Sequence, residues 1–153
     1  MRKLINVTMI AIFGLSTIIA GEIKGRIKYI GKPPKSKRIR MDADPVCAAS
    51  HRDAAKAESF IVDSEGNMAN VIVYLKGVKY TGKAPTSEVI IDQNGCVYSP
   101  HVMGVQAGQP VKILNSDATM HNIHGLPKVN KEFNFGMPKS LKEKTVTFNK
   151  AED

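Results

Sequence analysis

Apolar and polar residues alternate with a period of two in several short stretches of this chain, the pattern of strands with one buried face. Residues 22–30 alternate in this way and predict an opening strand. Gly31-Lys32-Pro33-Pro34 ends it, because proline has no amide to give a ladder. Residues 59–62 predict a short strand, and Ser64-Glu65-Gly66-Asn67 has the composition of a turn. The clearest strand signal covers residues 69–75. There Val71, Val73 and Leu75 alternate with Ile72 and Tyr74, and an apolar residue on both faces predicts a central position. Residues 88–92 predict a further strand, followed by a tight turn at Gln93-Asn94-Gly95. Residues 96–105 read as extended chain interrupted by Pro100, Gly108-Gln109-Pro110 as a turn, and residues 111–114 and 144–148 as strands. Only residues 42–57, with Asp44-Pro45 before an alanine-rich stretch, suggest a short helical turn.

Strands at roughly ten-residue spacing, with turn signals between them, predict an all-β fold. With no internal repeat and no long amphipathic helix, the expected architecture is an antiparallel Greek-key β-sandwich.

The first twenty residues follow a different pattern. Arg2 and Lys3 precede an apolar run over residues 4–19, and Ala20-Gly21 supplies small residues for cleavage, so residues 1–20 read as a signal peptide. The run is short for a membrane span, which needs about 20 apolar residues. The expected mature unit is one domain over residues 21–153, periplasmic or secreted, with no stable membrane anchor after cleavage.

Composition narrows the functional classes. The formal charge is +8, but the basic residues are dispersed apart from the stretch over residues 32–40. There is no tryptophan, and few aromatics interleave with the charges, so no stacking platform for nucleic acid is expected. A solvated basic surface is the favoured reading, with docking to an acidic partner or membrane surface as the alternative. No Gly-x-Ser-x-Gly, glycine-rich phosphate loop or His-Glu-x-x-His occurs, so no enzymatic activity is expected.

The candidate chemistry lies in three groups that contain all 4 histidines and both cysteines. These are Cys47 with His51, then Cys96, His101 and Met103, then His121 and His124. Imidazole and thiolate together suit copper or zinc, and a trigonal His₂Cys set with a distant methionine is the electron-transfer copper arrangement. Two alternatives stay open for the sulfurs: a Cys47–Cys96 disulfide, as an even pair in an exported chain suggests, or metal thiolates. Two also stay open for residues 121–124. In a strand His121 and Ile123 share one face, and Asn122 and His124 the other; in a turn both histidines could face inward. Met103, Met120 and Met137 read as core or surface filling before ligands.

Asn115-Ser116-Asp117-Ala118-Thr119-Met120-His121-Asn122-Ile123-His124 resembles the strand and loop carrying the first histidine ligand of cupredoxins, and Gly108-Gln109-Pro110-Val111-Lys112-Ile113 resembles the strand that enters it. Asp44-Pro45-x-Cys47, the Asn70-Val71 strand, and the run from Asp92-Gln93-Asn94-Gly95-Cys96 through Pro100-His101-Val102 to Phe133-Asn134 extend the likeness over most of the mature chain. They resemble exported bacterial cupredoxin-like (plastocyanin-like) proteins, a group often labelled methylamine utilisation proteins. The resemblance implies copper, a redox partner protein, and electron transfer where the ligand set is complete. It implies His121 as first ligand, with Asn122 tying the ligand strand to the ligand loop and Asn115 supporting it. Members of that group carry cysteine, second histidine and methionine in one C-terminal loop. Here no cysteine or histidine follows His124, and the last methionine is Met137. The resemblance therefore implies a fragment or shortened chain that lacks the last strands and the copper loop, or else a rearranged site made of Cys96, His101, Met103 and His121. A non-redox exported sandwich with a Cys47–Cys96 disulfide is the alternative function.

Overall fold

The computed structural model describes residues 24–51, 53–78 and 82–152; the leader expected over residues 1–20 lies outside them. The described chain is mostly β. In order, its elements are α1 (Pro45–Ser50), β1 (Ile61–Val62), β2 (Met68–Ala69), β3 (Val89–Asn94), β4 (Val97–Ser99), β5 (Pro110–Asn115), β6 (His121–Gly125), β7 (Phe133–Met137) and β8 (Glu143–Thr147). Four strands make one sheet in the order β4-β3-β5-β8, β6 pairs with β7, and β1 pairs with β2.

The expectation of a purely antiparallel fold needs correcting. β3 and β5 run parallel, with Ile91 opposite Ile113, while β4 and β8 flank them antiparallel. A parallel pair cannot be closed by a hairpin. The chain accordingly turns through β4 and residues 100–109 before β5 enters beside β3.

β5 alternates cleanly. Val111, Ile113 and Asn115 are buried and Lys112 is not. Lys112 faces the other way, where its Nζ pairs with Glu88 at 2.7 Å and Glu143 at 3.7 Å. The buried face of β5 meets Ile123 of β6 and Met137 of β7, with Ile91, Val105, Phe133, Phe135, Val146 and Phe148 packed around them. The core thus lies between the four-stranded sheet and the β6–β7 hairpin. Within that hairpin Gly125 sits opposite Phe133, and a Cβ there would come within 2.4 Å of the Phe133 ring. Phe133 in turn stacks on Phe135, with ring centroids 5.5 Å apart. Gly125→Ala is therefore expected to displace Phe133 and cost about 1–3 kcal/mol, read as a lower urea midpoint at unchanged m-value.

Several expected elements differ. Residues 69–75 do not form a central strand. The ladder stops at Ala69, because Asn70 takes a left-handed backbone (φ 58) and its side-chain amide donates to the Glu58 carbonyl. Val73, Tyr74 and Leu75 are exposed. The described part of the expected 22–30 strand contributes a single bridge, Lys28 to Asn67. Gln93 and Asn94 belong to β3, so the tight turn moves one residue on. Its central residues are Gly95 (φ 63) and Cys96 (φ 58), the positive-φ pair that a two-residue hairpin of type I′ requires. The expected helical turn is α1. Asp44 caps it by accepting from the amides of Val46 at 2.8 Å and Cys47 at 3.2 Å, and Pro45 fills the first turn where no donor is needed.

Candidate functional site

Three segments converge at one end of the sheet: α1, the β3–β4 turn, and the loop from Asn115 to His121. A Cys47–Cys96 disulfide, with Cα atoms 5.5 Å apart, links the first two covalently. One of the two readings of the cysteines is therefore the one seen. No free cysteine remains, and in this oxidised state Cys96 presents no thiolate.

The loop is organised from inside. Asn115 is 1 % exposed. Its amide donates to the carbonyls of Met137 at 2.8 Å and Thr119 at 3.1 Å, and its Oδ1 accepts from the Asp117 amide. Lys142 Nζ reaches the carbonyls of Asn115 and Asp117. Asp117 is thereby turned towards the β3–β4 turn. One carboxylate oxygen accepts from the Gly95 amide at 2.8 Å, and the other from the Cys96 amide at 2.8 Å and His121 Nε2 at 2.7 Å. Burial pushes the Asp117 carboxyl up, but the Cys96 amide, the His121 ring and the Gly95 amide outweigh it and hold the group below its ordinary value. Asp44 is held low as well, first by the Thr119 hydroxyl and then by the Cys47 amide. His51 Nε2 meets the Gly95 carbonyl, which closes the turn from the α1 side.

His121 lies on the inward face of β6 and its side chain is 15 % exposed. Of the two conformations open to residues 121–124, the strand is the one observed. His124 and Asn122 face outward. His124 Nε2 pairs with Glu132 at 2.7 Å, and the Asn122 amide donates to Asn134 Oδ1. Asn122 therefore ties β6 to β7 on the outer surface, whereas Asn115 supports the His121 loop directly.

A sulfur of Cys96, a carboxylate oxygen of Asp117 and a ring nitrogen of His121 all lie within 4.8 Å of one another. His101 and Met103 are not with them. They line, together with His124, Tyr98, Ile123 and Phe133, a cavity of about 290 Å³ that opens on the core. The set Cys96, His101, Met103 and His121 is thus divided between two places. The trigonal His₂Cys arrangement is not assembled among the described residues. What is assembled is an imidazole oriented by a carboxylate. With Nε2–H donated to Asp117, neutral His121 carries its lone pair on Nδ1, the usual preparation of a metal-binding histidine.

No family model, curated protein or solved structure matches the chain.

Asp117, Asp44 and Thr119 were not singled out by sequence reasoning. Asp117 had a signal in its position four residues before His121. Asp44 had one too, as an aspartate preceding Pro45 at the start of a helical turn. The hydrogen bond from Thr119 Oγ1 to Asp44 Oδ2, 2.9 Å long, joins residues far apart in sequence and has no local signal.

Proposed function

We propose that this chain is an exported copper-binding β domain of the cupredoxin-like kind, with a Greek-key sandwich plan, in which His121 supplies an imidazole ligand. The observation that carries this reading is the His121–Asp117 pair. A partly buried imidazole is fixed in one tautomer by a buried carboxylate, at the end of the core where three segments meet. The basic, apolar and small-residue order of residues 1–20 supports export, and so does a disulfide, which persists in oxidising compartments. Among the described residues no helix is long and apolar enough to cross a membrane. Copper bound beside a thiolate supplies electron transfer to a redox partner; Cys96 does not provide that thiolate while it is bonded to Cys47.

The reading is tested by adding Cu(II) to the oxidised full-length protein and recording its electron paramagnetic resonance spectrum. Nitrogen hyperfine structure from an imidazole is expected in the wild type. It should disappear in His121→Gln and persist in His101→Gln and His124→Gln. A wild-type spectrum in His121→Gln would overturn the assignment. The second reading, an exported module stapled by its disulfide and without a metal, is favoured by the Cys47–Cys96 bridge itself. It predicts that no Cu(II) is retained by any of these proteins.

A further inference from the structure

We infer that the Cys47–Cys96 bridge closes a latent thiolate site. Once the bridge is reduced, Cys47, Cys96, His121 and Asp117 bind one zinc ion. This goes beyond the copper reading and does not depend on it, because it rests on three clustered donors and the cysteine bonded to one of them rather than on one imidazole.

Three of the donors, from Cys96, Asp117 and His121, already lie within 4.8 Å of one another. The fourth, Cys47, is bonded to Cys96 but lies outside that cluster. Two thiolates, an imidazole and a carboxylate are all ligand types that tetrahedral zinc accepts. Reduction frees both sulfurs from the bond they share, and Cys47 has to turn towards the other three donors. Cys47 lies in the short helix α1 and Cys96 in a two-residue turn. The carboxylate has room. Zinc taken by His121 Nε2 replaces that nitrogen's hydrogen bond to Asp117, which leaves the carboxylate with the Gly95 and Cys96 amides and a free position for the ion.

The chemistry balances with a partner dithiol as reductant. Its thiolate attacks one sulfur of the bridge to form a mixed disulfide, and its second thiol then displaces the protein sulfur. The dithiol leaves as a cyclic disulfide and both cysteines are left as thiols. Both residues are half-buried. Zinc then displaces the two thiol protons. Having no redox chemistry of its own, it holds the reduced pair without oxidising it back.

The test uses the full-length protein reduced with a water-soluble phosphine under argon. Zinc binding is measured by equilibrium dialysis and stability by urea unfolding. The reduced wild type is expected to bind one equivalent, to bind it more tightly than the oxidised protein, and to gain in urea midpoint with zinc, since a ligand of the native state stabilises it. His121→Gln and Cys96→Ser should each weaken binding by about tenfold or more. Three results would overturn the inference: equal zinc affinity in the oxidised and reduced proteins, undiminished affinity in His121→Gln, or zinc uptake with no rise in the urea midpoint. The last would mean that zinc meets the thiols of an unfolded chain. Loss of copper binding by the oxidised protein would bear on the proposed function alone.

Discussion

Reducing the Cys47–Cys96 bridge in metal-free buffer is expected to lower the free energy of unfolding by about 4 kcal/mol. The link spans 49 residues, and in the chain-entropy account a closed loop of that size restricts the unfolded chain by about that amount. The described core has little to set against the loss. Its buried apolar side chains are Ala55, Val111, Ile113, Ile123 and Met137, and small domains with modest cores depend on such links. The bridge is also what fixes α1 to the β3–β4 turn, beside a hydrogen bond from His51 to the Gly95 carbonyl. Urea unfolding of the oxidised and phosphine-reduced proteins, both held free of zinc with a chelator, measures the difference. A change below about 1 kcal/mol would show that the reduced chain keeps comparable order when unfolded.

Asp117→Ala is expected to cost about 2–3 kcal/mol, because it removes the shared acceptor of two amides and a ring nitrogen. Gly95 and Cys96 both have positive φ, and for Cys96 that conformation is unfavourable by about 1–2 kcal/mol without a compensating contact. The carboxylate supplies the contact, and an amide left without its acceptor costs about 1–3 kcal/mol where water cannot replace it. Asp117→Asn, which keeps one carbonyl acceptor, should lose less. The carboxyl also carries a pH signature. Its folded-state pKa lies below the ordinary 3.8, so its contribution is fully present above pH 3.8. It is lost as the pH falls through the lower folded value, where the unfolded chain binds the proton more readily. Wild type should therefore lose stability over that acid range faster than Asp117→Ala, as measured by urea midpoints at successive pH values. Parallel curves would assign the acid sensitivity to other carboxylates, such as Asp44.

The parts of the fold written in local alternation were legible. β5 and β8 lie within a residue of their expected bounds, because a period of two with a buried face needs no distant information. The alternation argument at residues 121–124 was also sound once the stretch proved to be a strand, with His121 inward and His124 outward. What failed depended on pairing. Residues 71–75 have every local mark of a central strand, but a strand needs a neighbour, and the left-handed backbone at Asn70 turns the chain out of the β1–β2 ladder. β6 and β7 were missed as a pair because Asn122, Asn134, Gly125 and Gly136 dilute their apolar content. The buried Ile123 and Met137 and the half-buried Phe135 become a face only when the two strands are laid side by side. The site was legible in its imidazole and its sulfurs but not in its carboxylate. The role of Asp117 comes from amides 21 and 22 residues away, and spacing along the chain does not encode that.

The parallel pairing of β3 with β5 also sets an order of events as the chain folds. β6 and β7 are joined by a short connection, and so are β3 and β4; each pair can close early because its ends have little distance to search. β5 has no such neighbour in sequence. It must find β3 on one side and β8, roughly thirty residues further along, on the other, and both encounters carry the entropy of wide loops. The central strand is thus the last to be seated, although its Val111 and Ile113 hold the finished interior together.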